Sequence, residues 1–133
     1  MVVLLTGGSS VLMNALIDKL NKNGHRVYLL TGQRDRRVTY KRVFERYDFA
    51  CDSGSVKDIV ESIRPDVTVF TGAYDTNYDW ELSAREESVR YLAGLVNVLS
   101  ACSMAKSGRF LYLSSEEVFG NTYAENIREE EPA

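Results

Sequence analysis

Short, largely apolar runs alternate along this chain with stretches of helical periodicity, and this alternation constrains the fold more than any other feature. Runs of four or five such residues between turn residues are typical of strands buried on both faces. The predicted strands are Val2–Leu5, Val27–Leu30, Tyr47–Cys51, Val67–Phe70 and Phe110–Leu113. Strands separated by helices pair in parallel through right-handed crossovers. The pattern predicts an α/β fold, a three-layer doubly wound parallel sheet of strand order 3-2-1-4-5.

Three helices are predicted between these strands. The first ends at Asn23–Gly24, the second opens at Ser55 and ends before Pro65, and the third runs from about 78 to 105. Their predicted core faces are Leu12, Leu16, Ile17 and Leu20; Val56, Ile59, Val60 and Ile63; and Leu92, Leu95, Val96 and Leu99. The segment 31–46 is polar and basic and has no assignment, and 121–133 is predicted to be a loop.

Composition excludes several classes of function. The 133 residues suffice for one domain, and a net charge of −3 without a basic stripe argues against nucleic-acid binding. No apolar run approaches the roughly 20 residues of a membrane span, and no signal peptide is recognisable. Cys51 and Cys102 stand apart and are predicted to be buried thiols. We therefore expect a cytoplasmic protein that does not bind membranes.

The segment Thr6–Ser10 follows the first strand and contains two glycines. Ligands of doubly wound sheets bind at the carboxyl ends of the strands, where the strand order reverses. A glycine turn there directs the amides of the next helix toward a phosphate, and the helix dipole assists. Taken alone, the turn is as typical of a plain connection as of a phosphate site.

The segment Tyr112–Gly120 resembles the "SS-x-x-VYG" signature of the extended short-chain dehydrogenase/reductases, the family of sugar-nucleotide epimerases and dehydratases. Further similarities lie in order along the whole chain: Thr6–Gly8 with the glycine motif, Asp66–Ala73 with the fourth strand, Gly94–Leu99 with the long helix, and Glu129–Pro132 with an acidic loop. Because the similarities span residues 1–133, we expect one NAD(P)-binding Rossmann domain.

The resemblance implies NAD or NADP bound along the sheet edge and a nucleotide-linked sugar as substrate. It matches Asp52 with the acid that contacts the adenine amino group. The cofactor contacts that it implies are Gly7, Gly8, Ser9, Ser10, Val11, Leu12, Thr31, Arg34, Asp52, Ser53, Thr71, Gly72, Ala73 and Ser114. Assembly as a homodimer through the long helix is compatible with the resemblance.

Three catalytic candidates follow the fifth strand. Ser115 matches the family's catalytic serine or threonine, which would hydrogen-bond the substrate oxygen being oxidised. Glu116 and Glu117 stand where dehydratases of the family place acid/base carboxylates. The structural alternatives are a serine that caps a turn and a solvated acidic turn.

The chain departs from the family pattern at several positions. Ser10 and Met13 replace glycines that give the pyrophosphate backbone clearance and the first helix close packing. Met13 must either push this helix outward or point away. Tyr91 replaces an asparagine of the long helix, which removes a polar anchor near the active site.

A further departure lies at the end of the second strand. Thr31 stands where the family has the acid that selects NAD. Arg34, Arg36 and Arg37 follow and could neutralise the 2′-phosphate of NADP, or they form a solvated basic loop.

The family's general acid/base, a tyrosine followed four residues later by a lysine, is absent from the 133 residues. The sequence therefore predicts the dinucleotide-binding part of an NAD(P)-dependent epimerase or dehydratase that lacks its C-terminal substrate-binding part and is inactive alone. One alternative is a degenerate Rossmann module with a regulatory or protein-interaction role and no dinucleotide. A flavodoxin-like phosphate receiver is less favoured, because Asp52 alone supplies acid at the relevant strand ends.

Overall fold

A computed structural model describes residues 1–7, 11–31, 43–44, 53–71 and 80–114. The described ranges contain five strands and three helices. They are β1 (Val2–Gly7), α1 (Val11–Lys22), β2 (Arg26–Leu30), β3 (Val43–Phe44), α2 (Ser53–Ile63), β4 (Val67–Thr71), α3 (Trp80–Met104) and β5 (Arg109–Tyr112).

The strands form one parallel sheet in the order β3-β2-β1-β4-β5, which confirms the predicted topology. Thr6 of β1 is in register with Leu30 of β2 on one side and Phe70 of β4 on the other. The strand order therefore reverses at β1, and the carboxyl ends of β1, β2 and β4 lie side by side at one edge.

The core has two layers because successive strand residues face opposite sides of the sheet. Leu5 and its neighbours pack under α1, whereas Leu4 faces α2 and α3. The layer under α1 comprises Val3, Leu5, Met13, Ile17, Val27 and Leu29. The opposite layer includes Leu4, Leu30, Val56, Phe70, Val98 and Cys102. The sheet lies between two helical layers, as predicted.

Asp66 ties three strands together at the amino edge. Its carboxylate accepts a hydrogen bond of 2.6 Å from the Val2 amide, and its own amide donates to the Val2 carbonyl at 2.9 Å. Its carbonyl accepts from the Arg109 amide at 2.9 Å. A side chain at Gly108 would collide with that carbonyl. The starts of β1, β4 and β5 are therefore held close together.

Backbone conformation explains where two helices end. Gly24 follows α1 with φ +76°, and the His25 amide donates to the Leu20 carbonyl at 3.0 Å. This left-handed end confirms the predicted stop. After α2, Arg64 has φ +46°, and Pro65 cannot continue the helix.

The predicted core face of α3 is wrong. Leu92, Val96 and Leu99 are exposed among the described residues, and of the predicted residues Leu95 alone packs against the core. The buried face comprises Tyr91, Val98, Ala101 and Cys102. The error arises because α3 carries apolar residues on two faces, and periodicity alone cannot tell which of them meets the sheet.

Two boundaries differ from prediction. The strand that pairs with β2 is Val43–Phe44, and the predicted third strand, 47–51, lies outside the described residues. α2 begins at Ser53, two residues before the predicted Ser55. No described helix combines the length and apolar character needed to cross a membrane.

Candidate functional site

β1 ends at Gly7, whose backbone departs from the extended conformation of the strand, and we call this position the Gly7 bend. This residue has φ +108°, a conformation that side-chain-bearing residues rarely adopt. A Cβ atom there would lie 2.8 Å from Oγ1 and 2.9 Å from the carbonyl carbon of Thr71. Both the backbone angle and the lack of space therefore require glycine at this bend.

The Thr71 side chain links the ends of β1 and β4. Its hydroxyl donates a hydrogen bond of 2.9 Å to the carbonyl of Thr6, and both side chains are buried. The Thr6 hydroxyl donates to the Val69 carbonyl at 3.4 Å. These bonds satisfy buried polar groups and fix the two strand ends where the strand order reverses.

α1 begins at Val11, four residues beyond Gly7. The first amides of a helix have no partner within it, and the helix dipole adds partial positive charge at this end. A glycine of positive φ at a strand end, followed by a helix start at the centre of a parallel sheet, is an arrangement suited to binding a phosphate. Val11 and Leu12 are described here by their backbone only.

Met13 lies in the first turns of α1 and is almost fully buried, with 2% of its surface exposed. It belongs to the core layer under α1, together with Val3, Leu5 and Ile17. The prediction allowed Met13 either to push α1 outward or to point away from the sheet, and the structure shows that it does not point away, because its side chain lies in the core between α1 and the sheet. Met13 therefore fills the interface between α1 and the sheet. A glycine at this position would let the backbones of the helix and the sheet come into direct contact.

Three other predicted cofactor contacts fall within the described residues. Thr31 follows β2 and is completely buried. Ser53 begins α2 and Ser114 lies two residues past β5, and both are exposed. The remaining predicted residues lie outside the described part of the chain: Gly8, Ser9, Ser10, Arg34, Asp52, Gly72, Ala73, Ser115, Glu116 and Glu117.

A pair of tyrosines near the end of β5 was not predicted. The hydroxyl of Tyr91 on α3 lies 2.6 Å from that of Tyr112 on β5, and both rings pack near Phe70, with centroids 5.8 and 6.3 Å away. The Leu113 amide donates to the Phe70 carbonyl at 2.9 Å. Tyr91 stands where the family pattern has an asparagine, and it still places a polar group at this position. Its hydroxyl links α3 to β5.

The signal that could have revealed the pair is the spacing of aromatic residues in the fifth strand. Phe110 and Tyr112 are two residues apart, so they share one face, and both stack near Phe70. The phenol contact itself joins residues 21 positions apart and depends on how α3 is rotated.

Comparison with known proteins assigns this arrangement to a family. Residues 3–133 match the model of the NAD dependent epimerase/dehydratase family. The chain belongs to this family. The match covers the glycine bend, both core layers and β5, so the described fold is that of the family's sheet.

Solved enzyme structures share the fold. The UDP-glucose 4-epimerase from Bifidobacterium longum, in complex with NAD+ and UDP, superposes with a TM-score of 0.80 at 18% identity, over 99% of this chain and 42% of that one. The UDP-glucose 4-epimerase from Thermus thermophilus, in complex with NAD, gives 0.79 at 22%, over 99% and 44%. The Bordetella bronchiseptica enzyme WbmG, with NAD and UDP, gives 0.76 at 23%, over 98% and 42%.

The chain spans less than half the length of these solved enzymes. Identities of 23% and below establish a common fold and no more. Comparison with curated protein sequences gives no match.

Proposed function

We propose that this chain is the dinucleotide-binding portion of an NAD(P)-dependent sugar-nucleotide epimerase or dehydratase. The observation that carries the proposal is the Gly7 bend, which lies where the strand order reverses and leads into α1. The family supports it, since its description includes dependence on NAD. The solved structures with a similar fold include several in complex with NAD.

The residues at this edge suit the parts of a dinucleotide. Gly7 lets β1 end in close contact with Thr71, and the first amides of α1 would bind a pyrophosphate beside it together with residues 8–10. Asp52 and Ser53 would contact the adenine. Thr71–Ala73 and Ser114 would lie under the nicotinamide half, because Thr71 ends β4, residues 72 and 73 come directly after it, and Ser114 follows β5.

The chemistry of the full enzyme would take place beyond β5. A bound nicotinamide supplies the hydride acceptor and donor. Ser115 would hydrogen-bond the substrate hydroxyl and orient it, and Glu116 or Glu117 would transfer protons. We propose that the 133 residues bind dinucleotide without turnover, because they contain no tyrosine with a lysine four residues later.

Thermal unfolding with each of NAD, NADH, NADP and NADPH tests the proposal. A ligand at 100 times its dissociation constant stabilises a protein by about 2.7 kcal/mol, which corresponds to a rise in Tm on the order of 10 °C for a domain of this size. We expect such a rise with at least one of the four, and ATP at the same concentration is the control for unspecific phosphate binding. No rise with any dinucleotide would contradict the proposal.

A degenerate Rossmann module with a role in protein contacts is the second candidate. The replacement of two glycines by Ser10 and Met13 favours it, as does an exposed apolar row on α3. This row, which we call the α3 stripe, consists of Val89, Leu92, Val96 and Leu99. A module of this kind would show no rise in Tm with dinucleotide.

We also propose that two copies of the chain pair through the α3 stripe. Its residues follow one another at intervals of three, four and three, the spacing of a seam between two helices. A two-fold axis would place the same apolar row on both partners.

The described cysteine, Cys102, is a buried free thiol, which is consistent with the cytoplasmic location that we propose.

A further inference from the structure

β5 lies at one side of the described sheet, and β4 is its neighbour among the described strands. The Arg109 and Leu113 amides donate to backbone carbonyls on the β4 side, both at 2.9 Å. Backbone groups alternate in direction along a strand, so the amides and carbonyls of Phe110 and Tyr112 point to the opposite edge. This outer edge of β5 therefore offers two donors and two acceptors in an arrangement that another strand can match.

The side chains of β5 are largely apolar, and two of them are exposed. Leu111 has 51% of its surface exposed and Tyr112 has 46%. Edge strands of natural proteins are commonly protected from pairing by charged side chains or by proline. Residues 110–113 contain neither, and Arg109 carries the one charge of the strand. The partner that suits this edge is therefore a strand with apolar side chains.

A second copy of β5 meets these requirements. In an antiparallel pair with its two-fold axis at Leu111, Phe110 lies opposite Tyr112 of the second copy, and four backbone hydrogen bonds form. The two Leu111 side chains meet on one face of the sheet, and two pairs of aromatic rings form on the other. The two Arg109 residues stand four positions apart along the strands, roughly 13 Å, so salt screens their repulsion. β5 is therefore complementary to itself in hydrogen bonding, side chains and charge.

The position of α3 is compatible with this axis. α3 covers both β4 and β5, because Cys102 contacts Thr68 of β4 at 3.4 Å and the hydroxyls of Tyr91 and Tyr112 lie 2.6 Å apart. Strands are spaced about 4.8 Å apart, so an axis at the outer edge of β5 places the two copies of α3 about 10 Å apart. Helices pack at interaxial distances of about 8–10 Å. The two helices can therefore touch when the strands pair.

The α3 stripe lies on the flank of α3 that faces this axis. α2 packs against the other flank, near Asn97 and Ala101. Leu99 follows Asn97 by two residues, so it points about 200° away around the helix. Leu92 precedes Leu99 by seven residues and shares its flank. The stripe and the outer edge of β5 therefore lie on the same side of the molecule, and a single two-fold operation covers both.

We propose that two copies of this chain join edge to edge through antiparallel β5 strands, so that their described sheets continue into one sheet of ten strands. This arrangement rests on the proposed pairing through the α3 stripe, and it adds the strand contact and the position of the axis. Two short strands alone bury much less than the roughly 800 Å² per partner of a stable interface. The strand edge and the α3 stripe are therefore both required.

A cysteine at the axis tests the geometry directly. At a pair of this kind, which makes no hydrogen bonds of its own, the Cα atoms lie about 4.5 Å apart, within the range of a disulfide. Leu111→Cys should therefore form a covalent dimer when oxidised glutathione accepts the electrons of the two thiols. Met104→Cys is the matched control, since Met104 is also exposed but lies on the α2 side of α3. It should give no more covalent dimer than the wild-type protein.

A charge at the axis tests the contribution of the strands. Leu111→Lys should convert the dimer to a monomer, because two ammonium groups would face each other, whereas Met104→Lys should remain a dimer. Sedimentation velocity measures the mass. Amide hydrogen exchange at Phe110 and Tyr112 should slow about tenfold or more as the wild-type protein dimerises. Slow exchange at Leu5 in β1 reports that each variant is folded.

The outcomes separate the strand contact from the pairing through the α3 stripe. A dimer that persists in Leu111→Lys, or that gives no excess of covalent dimer in Leu111→Cys, overturns the strand contact and leaves the stripe pairing intact. A monomer with slow exchange at Phe110 and Tyr112 also overturns it, since another segment of the chain then covers β5. A wild-type protein that is monomeric at every concentration overturns both. None of these outcomes depends on dinucleotide binding.

Discussion

Gly7 and Thr71 show what single residues contribute at the candidate site. The glycine was predictable, because a glycine turn after a buried strand has a recognisable pattern. The bond from the Thr71 hydroxyl to the Thr6 carbonyl was not, because it joins residues 65 positions apart and depends on strand register. Sequence therefore identified the bend, whereas the structure shows what holds it in place.

Replacing Gly7 by alanine should destabilise the protein by about 2–4 kcal/mol. The alanine would be held at an unfavourable φ, and its Cβ atom would press against Thr71. Urea unfolding measures the change. Gly54→Ala is the matched control, since this glycine lies in α2 with open space where a Cβ atom would be added, and alanine there should stabilise by about 0.5–1 kcal/mol. Similar values for the two variants would contradict the role of the bend.

At the scale of elements, α3 and β5 are joined by the phenols of Tyr91 and Tyr112. β5 is four residues long, and β4 is its partner among the described strands. The bond from the Leu113 amide to the Phe70 carbonyl is the last of the ladder before Ser114. The tyrosine pair therefore supports the end of the strand that leads to the predicted catalytic residues.

Tyr91→Phe and Tyr112→Phe should each cost about 1 kcal/mol, and the double variant should cost no more than either single one, because both remove the same bond. Denaturant unfolding gives the coupling free energy. Amide hydrogen exchange should accelerate at Leu113 in all three variants and stay unchanged at Leu5 in the core of β1. Additive costs would show that the two hydroxyls act independently.

α3 also shows the limit of periodicity. Its existence and approximate length were predicted correctly, yet the chosen face was the exposed one. Residues such as Leu92 and Val98 are equally apolar in sequence, and the sheet determines which of them is buried. Placement of the third strand was limited in a similar way, because Val43–Phe44 is too short to give a pattern of its own.

At the scale of the whole molecule, alternating strands and helices were enough to predict the sheet order, since crossover handedness leaves few topologies. The position of β1 at the centre followed from its burial on both faces, which Leu4 and Leu5 confirm. Only part of the predicted site lies within the described residues. Gly7, Thr31 and Thr71 lie at the predicted edge, whereas the predicted catalytic residues Ser115, Glu116 and Glu117 lie outside the described part.

The proposed pairing of two copies is also a property of the whole molecule. Leu92→Glu with Val96→Glu should convert a dimer to a monomer, because four carboxylates would face one another across the α3 stripe. Sedimentation velocity over a range of concentrations measures the mass. Met104→Glu is the control, since Met104 is an equally exposed apolar residue of α3 outside the stripe. A wild-type protein that stays monomeric at every concentration would refute the pairing.

Asp66 has a consequence for how such a domain can diversify. One carboxylate and its own peptide groups gather the starts of three strands, at the rim farthest from the bend. Segments at the carboxyl edge can then be exchanged, lengthened or given a different charge without disturbing the alignment of the strands, because the Asp66 hydrogen bonds fix that alignment at the amino edge. New ligand preferences can therefore arise by changes in the segments at the carboxyl edge while the strand alignment at the amino edge stays the same.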